Sequence, residues 1–195
     1  MNPFEFFIPQ NIIVGAGTLV RLPECAQKLG GTHAMLLSGP TLRKMGIVDK
    51  AAKYLEDAGM KVDIFTEIEA NPSVTTVEKA TTAFKEAGAD FIVALGGGSP
   101  MDVAKAVGVT AKYGGSITEY EGAHKVPGKI IPLIAIPTTA GTGSEVTAFS
   151  VITDHSRDYK LTVFSYKLFP SYAILDPELL TSAPASVAAA CGIDA

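Results

Sequence analysis

Short apolar runs alternate with longer amphipathic segments along the first two thirds of the chain. The runs are too short for helices and are apolar at consecutive positions, which is typical of strands that are buried on both faces of a sheet. They predict four strands, at residues 34–38, 62–66, 91–95 and 133–137.

The segments between these runs have helical spacing. In one of them, Val74, Val77, Thr81 and Phe84 fall on one face of a helix. The alternation of strand and helix predicts an α/β fold in which a parallel sheet is covered by helices on both sides. The predicted helices span residues 47–58, 74–87 and 100–111.

The pattern changes after Thr147. Strand-like runs at 151–153, 161–164 and 172–175 follow with little helix between them, and a further helix is predicted at 184–191. No internal repeat, linker or low-complexity tract divides the chain.

Composition and charge narrow the class of protein. The chain has 195 residues, of which 47% are hydrophobic and 18% charged, which predicts a folded domain and excludes disorder. Its 16 basic and 20 acidic side chains give a net charge of −4 without a basic cluster, so a nucleic-acid partner is not expected. The two cysteines exclude the disulfide-rich secreted class, and we expect both to be reduced.

No targeting or membrane segment is predicted. The N-terminus lacks a basic start followed by an apolar core, and the longest apolar run, 130–137, contains two prolines. A bilayer span needs about 20 apolar residues. A membrane partner is therefore not expected, and a cytoplasmic location is.

The strongest local motif is GGGSPMD at residues 96–102, directly after a predicted strand and before a predicted helix. Glycines let a ligand approach the backbone, Ser99 is predicted to cap the helix, and Asp102 is placed to reach back as in a capping box. The free N–H groups of a helix start attract phosphate. The alternative is a tight strand-to-helix turn with a well-capped helix.

Two common nucleotide-binding motifs do not fit the chain. The 96–102 segment lacks the Gly-Lys-Ser/Thr ending of a P-loop, and Met101 occupies the position of the third glycine of a Rossmann fingerprint. A second candidate begins at Gly15 and Gly17 but has Val20 in the corresponding position. We interpret it as a turn in which Thr18 caps the next helix.

A second polar segment, TTAGTGSE at residues 138–145, follows the predicted strand 133–137. In a doubly wound sheet, loops at the carboxyl ends of the strands form the ligand crevice. The hydroxyl groups would then bind ribose or amide groups. The alternative is a polar loop that caps a short helix through Ser144.

The histidines are isolated in sequence. His33, His124 and His155 show no metal-ligand spacing, and we interpret each as a surface or loop residue rather than a metal ligand or general base.

Four motifs together resemble those of one known family: GGGSPMDVAK at 96–105, IPTTAGTGSEVT at 136–147, NPS at 71–73 and GID at 192–194. The chain resembles the cofactor-binding half of the iron-containing (group III) alcohol dehydrogenases of the lactaldehyde reductase and propanediol dehydrogenase type. The resemblance covers the whole chain but only the front half of the family's length. It implies the parallel-sheet dinucleotide-binding fold of the dehydroquinate synthase-like type, with an NAD(P)-binding domain at 1–183, the start of a truncated helical metal-binding domain at 184–195, and the rest of that helical domain absent.

The resemblance also implies roles for individual residues. The pyrophosphate is assigned to Gly97, Gly98 and Ser99 with Asp102 behind them, the nicotinamide end to Thr138, Thr139 and Thr142, the adenosine side to Asn71, and further cofactor contacts to Lys160 and Leu179. Without the family, a core leucine and a solvated strand lysine are equally good interpretations of the last two.

The choice between NAD and NADP is predicted from one departure. NAD-preferring members of the family have an aspartate that reads the ribose hydroxyls at the position of Gly39. Without that carboxylate nothing repels a 2′-phosphate, and Arg43 is placed to pair with it, so the expected cofactor is NADP or NAD, and this departure favours NADP. The alternative is a turn at Gly39 with no discriminating role.

The family binds a divalent metal, iron or zinc, through one aspartate and three histidines, and Asp194 matches the aspartate. No matching histidines follow in this sequence, so we expect it to bind cofactor without turnover. The implied reaction is hydride transfer between a short-chain alcohol or aldehyde and NAD(P), with the metal as Lewis acid. A non-catalytic nucleotide-binding module and a glycerol dehydrogenase-like enzyme remain alternatives.

The family is commonly dimeric. Phe4, Phe6, Phe7 and Ile8 are candidates for an N-terminal strand that contributes to a homodimer contact. Packing in the core of the same chain is the competing interpretation.

Overall fold

A computed structural model describes residues 8–181 and 183–194. The candidate dimer residues Phe4, Phe6 and Phe7 lie outside them. Among the described residues the strands are β1 (Asn11–Val14), β2 (His33–Ser38), β3 (Lys61–Phe65), β4 (Phe91–Gly96), β5 (Gly122–Ala123), β6 (Leu133–Pro137), β7 (Phe149–Asp154), β8 (Tyr159–Phe164) and β9 (Tyr172–Leu175). The α-helices are α1 (Leu22–Lys28), α2 (Pro40–Lys44), α3 (Ile47–Asp57), α4 (Val74–Ala87), α5 (Gly98–Tyr113), α6 (Pro177–Leu180) and α7 (Ala185–Asp194).

Six strands form a parallel sheet in the order β1-β9-β6-β4-β2-β3. The predicted α/β class and parallel sheet are therefore confirmed, and the four predicted strands correspond to β2, β3, β4 and β6. A smaller sheet, β5-β8-β7, contains the strand-like runs at 151–153 and 161–164 and pairs β7 with β8 antiparallel, whereas the run at 172–175 is β9 of the large sheet.

The central strands are buried on both faces, as their apolar runs predict. Leu36 and Val93 pack with α1 and α3 on one face of the sheet. Leu37 and Ile92, their neighbours along the strands, pack with α4, α5 and the smaller sheet on the other. Consecutive strand residues point to opposite faces, which is why an uninterrupted apolar run fits this position.

The crossover connections leave a crevice at the carboxyl edge of the large sheet. The helix α3 connects β2 to β3 across one face, whereas α4 and α5 lie on the opposite face. The chain therefore leaves the adjacent strands β2 and β4 in opposite directions, and ligands bind at such a switch point in open α/β sheets.

The N-terminal turn is held by Asp176, at the end of β9, rather than by Thr18. The carboxylate of Asp176 is 2% exposed and accepts hydrogen bonds from the Gly17 and Leu19 amides, each at 3.0 Å. Gly17, in the left-handed region, precedes the 3-10 helix Thr18–Arg21, and the Thr18 hydroxyl donates to the Gly15 carbonyl instead. The prediction that Thr18 caps a helix is wrong, because a distant carboxylate already accepts from the amides of this turn.

Among the described residues, no helix combines the length and the apolar character that a bilayer span requires. Cys25 is buried and Cys191 half-buried, and both are free thiols.

We expect Asp176→Ala to lower the free energy of unfolding by about 3 kcal/mol, because it leaves the buried Leu19 amide and the amides of Gly17 and Glu178 without a charged acceptor. Urea denaturation of the two chains measures this difference. Asp57→Ala is the matched control. It removes an exposed carboxylate that pairs with Lys53 at 3.0 Å, and should leave stability close to that of the wild type. Equal losses in the two variants would contradict the anchoring role of Asp176.

Candidate functional site

A cleft of about 540 Å³ opens at the carboxyl edge of the large sheet, between the start of α5 and the smaller sheet. Six of the residues that the resemblance singles out line it: Asn71, Gly98, Ser99, Asp102, Thr142 and Lys160. Residues that are distant in sequence are thus brought together around one cavity.

The glycine-rich segment forms one wall of the cleft. Strand β4 ends at Gly96, Gly97 precedes the helix in an extended conformation, and α5 begins at Gly98 without a side-chain cap. The helix starts earlier than predicted, and Ser99 lies inside its first turn, so the prediction that Ser99 caps the helix is wrong. The first backbone amides of α5 are therefore left free of side-chain capping, which favours an anion at this point.

The two glycines also allow the 138–145 segment to lie against the helix start. A Cβ on Gly97 would stand 3.0 Å from the Thr139 hydroxyl oxygen, and a Cβ on Gly98 would stand 3.4 Å from the Thr142 methyl carbon. The distance at Gly97 is shorter than most real Cβ contacts, and the distance at Gly98 is at the limit of ordinary van der Waals contact. The two sequence motifs consequently form one packed unit.

Asp102 bonds to the other side of the cleft rather than to its own helix start. Its carboxylate accepts hydrogen bonds from the Ser144 hydroxyl at 2.7 Å and from the Val151 amide at 3.1 Å. Its backbone carbonyl accepts from the Ser150 hydroxyl at 2.8 Å. The predicted capping box is wrong, because Asp102 lies beyond the first turn of α5 and these partners are supplied by other elements. Burial raises the pKa of the Asp102 carboxyl, against the lowering effect of Lys105 and of these hydrogen bonds.

Ser144 does not cap the short helix that it begins. Gly143 occupies the position before the 3-10 helix Ser144–Val146, in the left-handed region, and no side chain caps that helix. The Ser144 hydroxyl is used in the contact with Asp102, so the capping alternative is wrong.

Lys105 is a part of the site that the sequence analysis missed. Its ammonium is buried and donates hydrogen bonds to the Ser144 hydroxyl at 3.1 Å, the Thr147 hydroxyl at 3.3 Å and the Phe149 carbonyl at 2.7 Å. Burial lowers its pKa to about 8, against the raising effect of Asp102 and Glu145. A lysine within the otherwise apolar sequence VAKAVGV was the available signal.

Asn71 and Lys160 lie together in the cleft. The Lys160 ammonium donates to the Asn71 side-chain oxygen at 2.9 Å. Asn71 adopts a φ of +54°, a left-handed conformation that asparagine tolerates better than most residues, and its carbonyl accepts from the Thr153 hydroxyl at 3.3 Å. The lysine is exposed, as a solvated strand residue would be, but its ammonium is directed at the predicted asparagine.

The remaining predicted residues lie outside the cleft lining. Thr138 is buried and its amide donates to the Gly96 carbonyl at 2.9 Å, while Thr139 stands beside Gly97. Leu179 is 7% exposed and packs in the core cluster with α1 and α3. The core interpretation of Leu179 therefore describes its position.

Gly39 directly follows β2, next to the end of β4. It precedes α2 in an extended conformation, and a Cβ there would meet only the Ile68 carbonyl, at 3.6 Å, which is an ordinary contact. Arg43 is one turn further and pairs with Asp49 at 3.1 Å, with both side chains largely exposed. The backbone therefore accepts a side chain at position 39, and the guanidinium is close to solvent.

The histidines do not assemble a metal site. Within residues 8–181 and 183–194, no group of three or more His, Cys, Asp or Glu side chains could hold a metal ion. His33 is half-buried at the start of strand β2, with its Nε2 atom 2.6 Å from an oxygen of the exposed Asp63 side chain, so it is a strand residue near the surface and not a loop residue. Asp194 is the last residue of α7.

A neighbouring cleft of about 420 Å³ has a more acidic lining than the glycine-lined cleft. Its lining includes Glu78, Glu121 and Asp154, and its one arginine, Arg157, is already bound to Asp154 at 2.6 Å and to Glu121 at 2.8 Å. Carboxylates on several sides disfavour an anion. A phosphate-bearing ligand is better accommodated by the glycine-lined cleft.

Comparison with known proteins agrees with this geometry. A model of the iron-containing alcohol dehydrogenases matches residues 9–177. The chain is 38% identical to the NAD-dependent methanol dehydrogenase of Bacillus methanolicus and 37% identical to the NADPH-dependent butanol dehydrogenase of Clostridium saccharobutylicum, in each case over 98% of this chain. The aligned regions cover 50% and 49% of those proteins, so the chain spans about half the length of these curated relatives.

A solved structure shows the same fold. The sulfoacetaldehyde reductase of Bifidobacterium kashiwanohense, determined in complex with NAD+, superposes with a TM-score of 0.92 at 35% identity, covering 100% of this chain and 51% of its own. The match of the family model over most of the chain and the shared fold lead to one conclusion: the chain belongs to the iron-containing alcohol dehydrogenase family.

Proposed function

We propose that this chain binds NAD(P) in the glycine-lined cleft and serves reversible hydride transfer between a short-chain alcohol and its aldehyde. The observation that carries the proposal is the uncapped start of α5, which faces the cleft through Gly98 and Ser99 at the switch point of a parallel sheet. The relatives with NAD-dependent and NADPH-dependent names support a nicotinamide dinucleotide as the ligand.

The residues of the cleft fit the parts of such a cofactor. In this proposal Gly97, Gly98 and Ser99 hold the pyrophosphate through backbone amides, because these glycines have no Cβ to stand between the backbone and a ligand. Asn71 and Lys160, which are already bonded to each other, hold ribose hydroxyls.

The hydroxyl groups of Thr138, Thr139 and Thr142 are proposed to orient the nicotinamide end. When bound, the nicotinamide supplies the hydride acceptor or donor. The contribution of the chain is to align that ring and to exclude water from it. Phe149, which lines the cleft and stacks on Phe164 with ring centroids 4.7 Å apart, provides an apolar surface for that purpose.

A metal centre does not follow from the described part of this chain. The described side chains include no cluster able to hold an ion, and a catalytic metal needs about three protein ligands. Asp194 remains a proposed single ligand for iron or zinc, and we expect the chain alone to bind cofactor without oxidising alcohols.

A homodimer is proposed as well. Among the described strands, β1 lies at the edge of the large sheet, with Val14 71% exposed and Ile12 39% exposed. An edge strand with exposed apolar side chains is suited to pairing with a second chain.

Titration of the 195-residue chain with NADPH and NADH, followed by the change in nicotinamide fluorescence, tests the proposed function directly. We expect saturable binding of at least one of the two, and no alcohol-dependent reduction of NADP or NAD with iron or zinc added. Failure of both nucleotides to bind would overturn the proposal.

We predict that Gly97→Val weakens cofactor binding at least tenfold, about 1.4 kcal/mol, because the branched side chain meets Thr139 and obstructs the backbone amides. The dissociation constants from the same titration measure this effect. Ala123→Val is the control: it adds methyl groups at an exposed position of β5 outside the cleft, and should bind as the wild type does.

We predict that the wild type prefers NADPH and that Gly39→Asp shifts the ratio of the two dissociation constants towards NADH by about tenfold or more. The new carboxylate would repel a 2′-phosphate and accept hydrogen bonds from ribose hydroxyls. A second variant, Arg43→Ala, should weaken the binding of NADPH and leave the binding of NADH unchanged. A wild-type preference for NADH would refute the discriminating role of Gly39.

A further inference from the structure

Lys105 is a charged residue at the centre of an apolar helix. Its side chain is 0% exposed, and its neighbours along α5 from Val103 to Thr110 are buried with it. Lysine is almost never fully buried unless its charge is compensated, so an interior ammonium at this position requires an explanation.

The contacts of the ammonium account for all of its protons. An ammonium has three N–H donors, and these reach the Ser144 hydroxyl, the Thr147 hydroxyl and the Phe149 carbonyl. The three acceptors belong to one continuous stretch of chain, from the 3-10 helix Ser144–Val146 to the start of β7. One buried side chain thus fixes this stretch to α5.

A hydroxyl relay connects Lys105 to Asp102. The Ser144 oxygen accepts from the Lys105 ammonium at 3.1 Å and donates to the Asp102 carboxylate at 2.7 Å. Asp102 is itself in the lining of the cleft. The positive charge of the ammonium therefore offsets a carboxylate that would otherwise repel an anionic ligand.

Lys105 itself does not line the cleft, although every group that it contacts does. Ser144, Thr147 and Phe149 contribute to the cleft lining, and so does Asp102 at the end of the relay. A residue in this position acts on a ligand through its partners. Its hydrogen bonds hold the residues that form the wall of the cleft, and its charge acts on Asp102 in that wall.

We propose that Lys105 is a positioning residue for the dinucleotide: it holds the 144–149 wall of the cleft against α5 and compensates the charge of Asp102 beside the pyrophosphate. This inference rests on the proposed cofactor function of the cleft. It predicts that cofactor affinity depends on the charge of a lysine that the cofactor never touches.

The pH dependence follows from the environment of the ammonium. Burial lowers the pKa of Lys105 to about 8, and the acidic groups that act on it are Asp102 on α5 and Glu145 on the 3-10 helix. Below this pH the ammonium is charged and the wall is fixed. Above it, the neutral amine loses a donor and leaves the Asp102 carboxylate uncompensated, so cofactor affinity should fall.

Loss of affinity caused by deprotonation of Lys105 can be distinguished from loss of affinity caused by alkaline unfolding. The pKa of Lys105 is lower in the folded chain than the ordinary value of 10.5, so between about pH 8 and pH 10.5 the unfolded chain binds more protons at this residue. The contribution of Lys105 to the free energy of unfolding therefore increases over that interval. A loss of affinity without a drop in melting temperature identifies the titration of the site.

The test compares the wild type with Lys105→Met, which keeps the length of the side chain and removes its charge. Dissociation constants for NADH, which carries no 2′-phosphate to titrate, are measured from about pH 7 to about pH 9.5, together with melting temperatures. We expect the wild type to weaken about tenfold across this interval. Lys105→Met should bind about tenfold more weakly at pH 7 and show no further pH dependence.

Lys112→Met is the matched control. It removes the same charge from the same helix, but its ammonium donates to the Lys129 carbonyl at 2.7 Å and does not line the cleft. We expect its affinity and pH profile to follow those of the wild type.

Each outcome bears on one of the two proposals. If the wild type binds neither NADH nor NADPH, the cofactor function is wrong. If the wild type binds with a flat pH profile, or if Lys105→Met binds as the wild type does, the cofactor function stands and the role of Lys105 is refuted.

If Lys105→Met does not fold, the pH dependence of NADH binding is measured for Ser144→Ala instead. The ammonium would lose one of its three acceptors, so its pKa should fall and the loss of affinity should begin at a lower pH than in the wild type. An unchanged midpoint would overturn the proposal.

Discussion

The parallel pairing of β2, β4 and β6 is the constraint on which the rest of the structure depends. Ser38 pairs with Leu95, and Gly96 pairs with Pro137, so the three strands end at nearly the same level. The Ser38 hydroxyl reinforces this register by donating to the Leu95 carbonyl at 2.7 Å. Because the strands end together, the segments that follow them emerge side by side, and residues from three separate parts of the sequence share one edge.

The smaller sheet converts that edge into a cleft. Its strand β7 packs against α5 and is joined to it by polar contacts from Asp102 and Lys105. Such contacts are directional, unlike apolar packing, and they define the separation of the two walls. A buried polar network is costly unless its members are satisfied, and the hydroxyl of Ser144 serves both charged groups at once.

The sequence predicts the framework of the fold well and its polar contacts poorly. Apolar periodicity is a local property, so it identifies β4 and the helix α4 with bounds close to those observed. The partners of Asp102 lie 42 and 49 residues away, and a capping rule that considers only neighbours in sequence assigns this carboxylate to its own helix start. The capping prediction for Thr18 is wrong for the same reason, because the carboxylate that stabilises its turn belongs to Asp176, which is distant in sequence. The glycine-rich segment is nevertheless predictable as part of the cleft, since the strand directly before it and the helix directly after it are both recognisable in the sequence.

The close approach of Gly97 to Thr139 constrains how this protein can be altered. The two residues belong to motifs more than one strand apart, yet the space available to one is determined by the other. A library that varies the glycine segment alone would discard every larger residue at position 97, including those that a smaller residue at position 139 would accommodate. Redesign of the pocket therefore requires paired changes, and single-site scans will underestimate how many sequences this cleft tolerates.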